Sequence, residues 1–126
     1  LAHTEDVLTQ TLGGLEKNIS EALQVLKNLL YAKEPIQKIF ITLYGHFKKL
    51  YITKIAINEK LNIAESLNLK PNQTFLVNKY TMQSKYFKEA ELRKLLQEFI
   101  DLDYKSKSGA IDLNVGIEAV LCRYCS

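Results

Sequence analysis

The chain predicts an all-α, single-domain bundle of about six to seven helices spanning residues 1–126. Three observations carry that reading. Apolar residues recur at helical spacing along most of the sequence, which lays one apolar stripe along each helix. Only five glycines and two prolines occur, so few positions break a helix. No run of alternating β-branched residues persists, so the strand signal is missing.

Each element has its own local reason. A first helix is predicted over Thr4 to Leu12 and closes at Gly13-Gly14. The second takes Asn18 as N-cap with Glu21 three residues on, close to a capping box. Its stripe is Ile19, Ala22, Leu23, Leu26 and Leu30. The third begins at Pro35, where the missing N–H costs nothing, and continues to about Ile57. Ile36, Ile39, Phe40, Leu43, Phe47, Leu50 and Tyr51 give this longest element its buried side, so it is the expected spine.

A short helix, Ile63 to Leu67, follows the cap Asn62, and Asn68 and Pro71 then interrupt the chain. A further helix runs from about Thr74 to Tyr86. The next carries the stripe Leu92, Leu95, Leu96, Phe99 and Leu102, and the last covers Leu113 to Tyr124.

The junction between the last two helices is the most structured motif. Asp103 extends the apolar series, so a carboxylate falls at the edge of the buried face. Lys107 lies one turn later in the favourable acid-before-base order. Gly109 then stops the helix, because glycine reaches the left-handed conformation without a Cβ clash. The final helix is apolar on two stripes. Leu113, Ile117, Val120, Leu121 and Tyr124 form one, and Val115, Ala119 and Cys122 form the other. The first stripe suits the chain's own core. The second is covered either by that same bundle or by a partner.

Composition excludes more functions than it suggests. Hydrophobic residues make up 47% and charged residues 25%, which is ordinary for a globular chain. The net charge of +3 is only mildly basic, and most lysines are scattered over polar helix faces rather than clustered. No stretch reaches the ~18 apolar residues of a membrane span, so no membrane role is expected. No secretory leader opens the chain, and its two thiols fit a reducing, cytoplasmic setting. The chain starts at Leu1 and its only methionine is Met82, which predicts a fragment of a longer protein.

No catalytic constellation stands out. Gly13-Gly14 lacks the Lys-Ser/Thr of a phosphate-binding loop. Cys122 and Cys125 are a single C-x-x-C pair, and His3 and His46 have no matching spacing for a zinc site. No cofactor and no metal are therefore expected, and the chain reads as non-catalytic. A competing reading concerns Ile63 to Lys79, which resembles a helix–turn–helix. Asn72, Gln73, Asn78 and Lys79 would face the bases. Against it, the candidate recognition helix has no arginine and carries Phe75, Leu76, Val77 and Tyr80, a composition suited to packing.

A longer pattern connects these pieces. Ala22-Leu-Gln-Val-Leu26 with Leu29-Leu30 comes first, then Glu34-Pro35 and Phe47-Lys-Lys-Leu50. Ile63-Ala-Glu-Ser-Leu67 with Leu69 and Pro71 follows, then Phe87 with Glu91-Leu92, and lastly Asp103-Tyr-Lys-Ser-Lys107-Ser-Gly109. In this order, from Ile19 to Cys125, the chain resembles the C-terminal domain of the delta subunit of the bacterial DNA polymerase III clamp loader. It departs where Lys33 and Asn68 replace the family's usual glycine and Lys88 its usual Ser or Thr cap. The interval from Pro71 to Phe87 is also about three residues longer.

The resemblance implies a collar domain, a helical bundle that joins the delta-prime and tau/gamma subunits in a pentameric ring. It implies that contact with the sliding clamp belongs to an N-terminal region outside this chain, and that no ATP site is present. A modest DNA-backbone contact from Lys48, Lys49 or Lys54 would be compatible with it. The second stripe of the last helix, Val115, Ala119 and Cys122, would then be the expected subunit interface.

Overall fold

The computed structural model describes Gln24, Lys27, Asn28, Tyr31 and residues 33–124. Among the described residues it is all-helical. Its elements are α1 (Ile36–Asn58), α2 (Ile63–Ser66), a 3₁₀ turn (Pro71–Gln73), α3 (Leu76–Ser84), α4 (Glu89–Lys107) and α5 (Leu113–Tyr124). The helix expected over Thr4 to Leu12, and the stripe from Ile19 to Leu30, lie outside the described residues. That accounts for five helices here against an expected six to seven.

α1 is the spine, and α2, α3, α4 and α5 all pack on it, while α5 also packs along α4. Its buried side is Ile39, Phe40, Leu43, His46, Phe47, Leu50, Thr53 and Ala56, an alternation of three- and four-residue steps that keeps one face inward. Pro35 stands one residue before the helix rather than inside it. Its extended ψ of 135° excludes it, and its carbonyl receives the Lys38 and Ile39 amides at 3.0 and 3.2 Å. The core centres on aromatic rings from α1, α4 and the connection before α4. Phe99 meets Phe40 edge-on at 5.3 Å and Phe47 at 6.0 Å, and Phe47 meets Phe87 at 5.8 Å. His46 is buried beside Phe47 and Tyr80, so it is a core residue.

Three helices close in the same way. After α4, the Ala110 amide reaches the Lys105 carbonyl at 2.8 Å and the Gly109 amide reaches Ser106 at 3.1 Å, with Gly109 at φ +80°. This is the paired-bond cap that needs a left-handed residue. α2 closes identically on Asn68 at φ +57° and α1 on Lys60 at φ +56°. Lys33 has φ +63° as well. At Lys33 and Asn68 the resemblance called for glycine, and the backbone shows why: both are left-handed. A lysine there carries the Cβ strain that glycine avoids.

Helix starts are uneven. Asn62 caps α2, its side chain accepting the Glu65 amide at 2.9 Å, as expected. Lys88 precedes α4 and has no acceptor to offer the first turn. Only the return bond forms, from the Lys88 amide to Glu91 Oε1 at 2.9 Å. Both weak caps are correctable. Lys60→Gly is expected to stabilise the chain by about 0.5–1 kcal/mol, and Lys88→Ser by about 1 kcal/mol. Urea unfolding of each variant checks the sign and the size.

α3 is shorter than the sequence suggests, Leu76–Ser84 instead of Thr74 to Tyr86. Thr74 Oγ1 bonds back to the Pro71 carbonyl at 3.3 Å, and Ser84 Oγ bonds back to Thr81 at 2.8 Å. Such local bonds compete with the regular ladder. Beyond Ser84, the amides of Lys85, Tyr86 and Phe87 each reach a carbonyl three residues back, at 3.2 Å, so the end tightens into a 3₁₀ turn.

Candidate functional site

The two candidate features lie on α4 and α5. Lys107 Nζ donates to Asp103 Oδ2 at 3.1 Å, one turn apart on α4. Their side chains are 73% and 43% exposed, so water screens the pair and it contributes only a few tenths of a kcal/mol. Asp103 does sit at the edge of the buried face. It rims a groove of about 390 Å³ between α1 and α4, floored by Phe40, Tyr44 and Phe99. Asp103→Ala and Lys107→Ala, singly or together, are each expected to lower unfolding stability in urea by less than about 0.5 kcal/mol. Gly109 completes the motif as the left-handed cap.

α5 divides its two stripes sharply. Leu113, Ile117, Val120 and Leu121 are buried, and Tyr124 is half-buried against the core. Val115 is 60% exposed, and Ala119 and Cys122 are exposed too. Among the described residues, the second stripe of this helix faces outward. Gly116 explains how closely the first stripe packs. A Cβ there would stand 2.1 Å from Leu102 Cδ1, so α4 and α5 meet where one side chain is missing.

Beside the outward stripe runs a shallow groove whose edges are Asp101, Lys105, Ile111, Ala119 and Arg123. Arg123 pairs with the Glu98 carboxylate across the α4–α5 junction. A hydrogen bond to the same carboxylate, and then the tyrosine's own burial, hold the Tyr124 hydroxyl above the usual phenol range. These contacts tie the end of α5 to α4 and keep the outward stripe in a fixed orientation.

Among the described residues, no group of three or more His, Cys, Asp or Glu side chains could hold a metal ion. Cys122 is exposed and forms no disulfide, and Cys125 lies outside the described residues. No described helix is long and apolar enough to cross a membrane. In the region of the competing helix–turn–helix reading, residues 67–75 separate α2 from α3, where that motif uses a turn of about three to four residues. Gln73 is occupied by the Lys70 amide at 3.0 Å, and Tyr80 is buried. On α1, Lys48 and Lys54 fall on different faces, since six residues rotate a helix well away from its starting side. The Lys49 ammonium lies 5.9 Å from the Tyr80 ring centre.

The model for the C-terminal domain of the DNA polymerase III delta subunit matches residues 7–124. The chain belongs to that family. Among curated proteins, DNA polymerase III subunit delta of Bacillus subtilis (strain 168) is 27% identical over 132 residues, covering 93% of this chain and 37% of that relative. The chain thus spans little more than a third of that protein's length. No solved structure matches. Family membership gives this delta C-terminal domain a replication-related role, and the all-helical fold agrees with the class read from its sequence. Sequence reading had passed over one feature of the surface. Phe75, Met82 and Tyr86, counted earlier as packing residues or not at all, are exposed. The signal was available, because all the acidic side chains stop at Glu65 and resume only at Glu89.

Proposed function

We propose that this delta C-terminal domain is a non-catalytic assembly module that joins the delta-prime and tau/gamma subunits in the collar of a clamp loader. The outward stripe of α5 carries this reading. Val115, Ala119 and Cys122 form an exposed apolar strip on a helix whose other side is committed to the core, a surface suited to burying against a neighbour. The parent protein would be cytoplasmic and part of a DNA polymerase holoenzyme. Its contact with the sliding clamp would belong to the portion outside this chain, a division that fits a match covering 37% of the Bacillus subtilis relative. Any DNA contact from Lys48, Lys49 or Lys54 would be a weak backbone contact, because these side chains do not share one face.

Co-expression with the matching C-terminal domains of delta-prime and tau/gamma, read by light scattering, tests the assembly. Val115→Glu and Ala119→Glu place a carboxylate on the strip, and burying an unpaired charge at an interface is strongly unfavourable. The expected result is loss of the assembly with a melting temperature within about 2 °C of wild type, since exposed positions contribute little to folding. Assembly that survives both substitutions would remove the α5 strip from the interface.

A further inference from the structure

A second outward strip lies on α3, and its chemistry differs from that of α5. Phe75 is 68% exposed, Met82 61% and Tyr86 41%. They stand at i, i+7 and i+11, so a helical turn of about 100° per residue, tightening toward 3₁₀ past Ser84, leaves them near one side of the segment. Lys79 occupies the i+4 position on the same side. That spacing is the seam of a helix–helix contact. Phe75 and Tyr86 stand just outside α3, in the turns that flank it. Phe75 has helical dihedrals of −61° and −21°, and Lys85 carries the turn past Ser84 so that the Tyr86 amide bonds the Gln83 carbonyl at 3.2 Å. The inner side of α3 is already used, with Tyr80, Gln83 and Ser84 buried.

The surrounding charge has one sign. From Ser66 to Lys88 there is no acidic residue, and the only charged side chains are Lys70, Lys79, Lys85 and Lys88. Lys79 lies on the seam and the exposed Lys85 stands beside it. An apolar seam flanked by lysines, in a segment with no acidic residue of its own, suits a partner seam flanked by carboxylates, because that pairing both buries the apolar strip and complements its edges. Single-stranded nucleic acid also favours lysines and rings. Its stacking platforms, however, need aromatic faces at successive bases and commonly use arginine. Here the rings stand eleven residues apart, roughly 16 Å along the axis. A flexible methionine lies between them, and residues 66–88 contain no arginine.

We propose that the Phe75–Met82–Tyr86 strip of α3, with Lys79 and Lys85, docks an amphipathic helix that carries carboxylates beside its apolar seam. This surface is separate from the α5 strip and stands whether or not α5 contacts another subunit.

The test uses the 126-residue chain and three fluorescent probes in anisotropy titrations. One is a designed helical peptide with leucine on an i, i+4, i+7, i+11 seam and glutamate flanks. The second has the same seam with lysine flanks, and the third is a thymidine 20-mer. The glutamate-flanked peptide should bind at least tenfold tighter than the other two. Phe75→Ser with Met82→Ser should weaken it at least tenfold, while Met82→Leu and Val115→Glu leave it unchanged. Circular dichroism should show the same helix content and melting temperature in every variant. Equal binding of both peptides, tighter binding of the oligonucleotide, or no binding of the glutamate-flanked peptide would each overturn the proposal.

Discussion

Phe99→Ala is expected to lower the unfolding free energy by about 3–5 kcal/mol, the usual cost of emptying a large aromatic site in a packed core. Phe99 is fully buried, and its ring touches those of Phe40, Tyr44 and Phe47 on α1. Its removal therefore deprives three aromatic neighbours of a partner at once and opens the α1–α4 contact. Natural domains hold about 5–15 kcal/mol in total, so this one change would consume a large part of the stability. Phe99→Leu keeps most of the volume and is expected to cost much less, because volume-conserving apolar exchanges repack. Urea unfolding followed by circular dichroism measures both. A Phe99→Ala loss below about 1 kcal/mol would show that α1 and α4 do not form the core in solution.

The second large effect runs against helix propensity. In an exposed helix interior, Gly→Ala gains about 1 kcal/mol. Gly116→Ala should instead destabilise by about 1–3 kcal/mol, as overpacking does in a filled core. The added Cβ would fall 2.1 Å from Leu102 Cδ1, and Leu102 is itself buried. Either Leu102 leaves its position or α5 moves off α4. Gly45 provides the control, since a Cβ there meets nothing within 4 Å and Gly45→Ala should stabilise by up to about 1 kcal/mol. Thermal melts of the two variants should therefore shift in opposite directions. Two upward shifts would mean that the α4–α5 contact is looser than the structure shows.

Both effects bear on assembly. α5 can present Val115, Ala119 and Cys122 outward only while Gly116, Ile117 and Val120 hold its other side on α4. A Gly116→Ala chain that still folds would carry that strip displaced. On the proposed function, reduced association with delta-prime and tau/gamma domains would then accompany reduced stability, whereas Val115→Glu should separate the two.

Much of this architecture is local, and local features are legible in a sequence. The α4 stripe was read residue for residue, because a 19-residue amphipathic helix repeats its signal over several turns. The Asn62 cap and the Gly109 stop were legible for a similar reason: each depends on side chains and dihedrals within about five residues. The Asp103–Lys107 pair needed only one helical turn.

Where competing local bonds decide an outcome, the reading drifted. α3 lost residues at both ends to hydroxyl back-bonding by Thr74 and Ser84, which periodicity does not register. Only tertiary structure decided the rest. Periodicity marks Leu113 and Val115 alike as apolar, and packing against α4 chose which of them is buried. Nothing local marks Gly116; its role comes from Leu102, fourteen positions earlier, packed against it. The histidine at position 46 became a core residue because α3 supplies Tyr80 beside it. The exposure of Phe75, Met82 and Tyr86 followed from which side of α3 turned toward α1. A sequence thus determines which residues can form a face, through spacing along one helix. Which face meets a neighbour depends on contacts between residues distant in the chain, and those are set only when the helices pack.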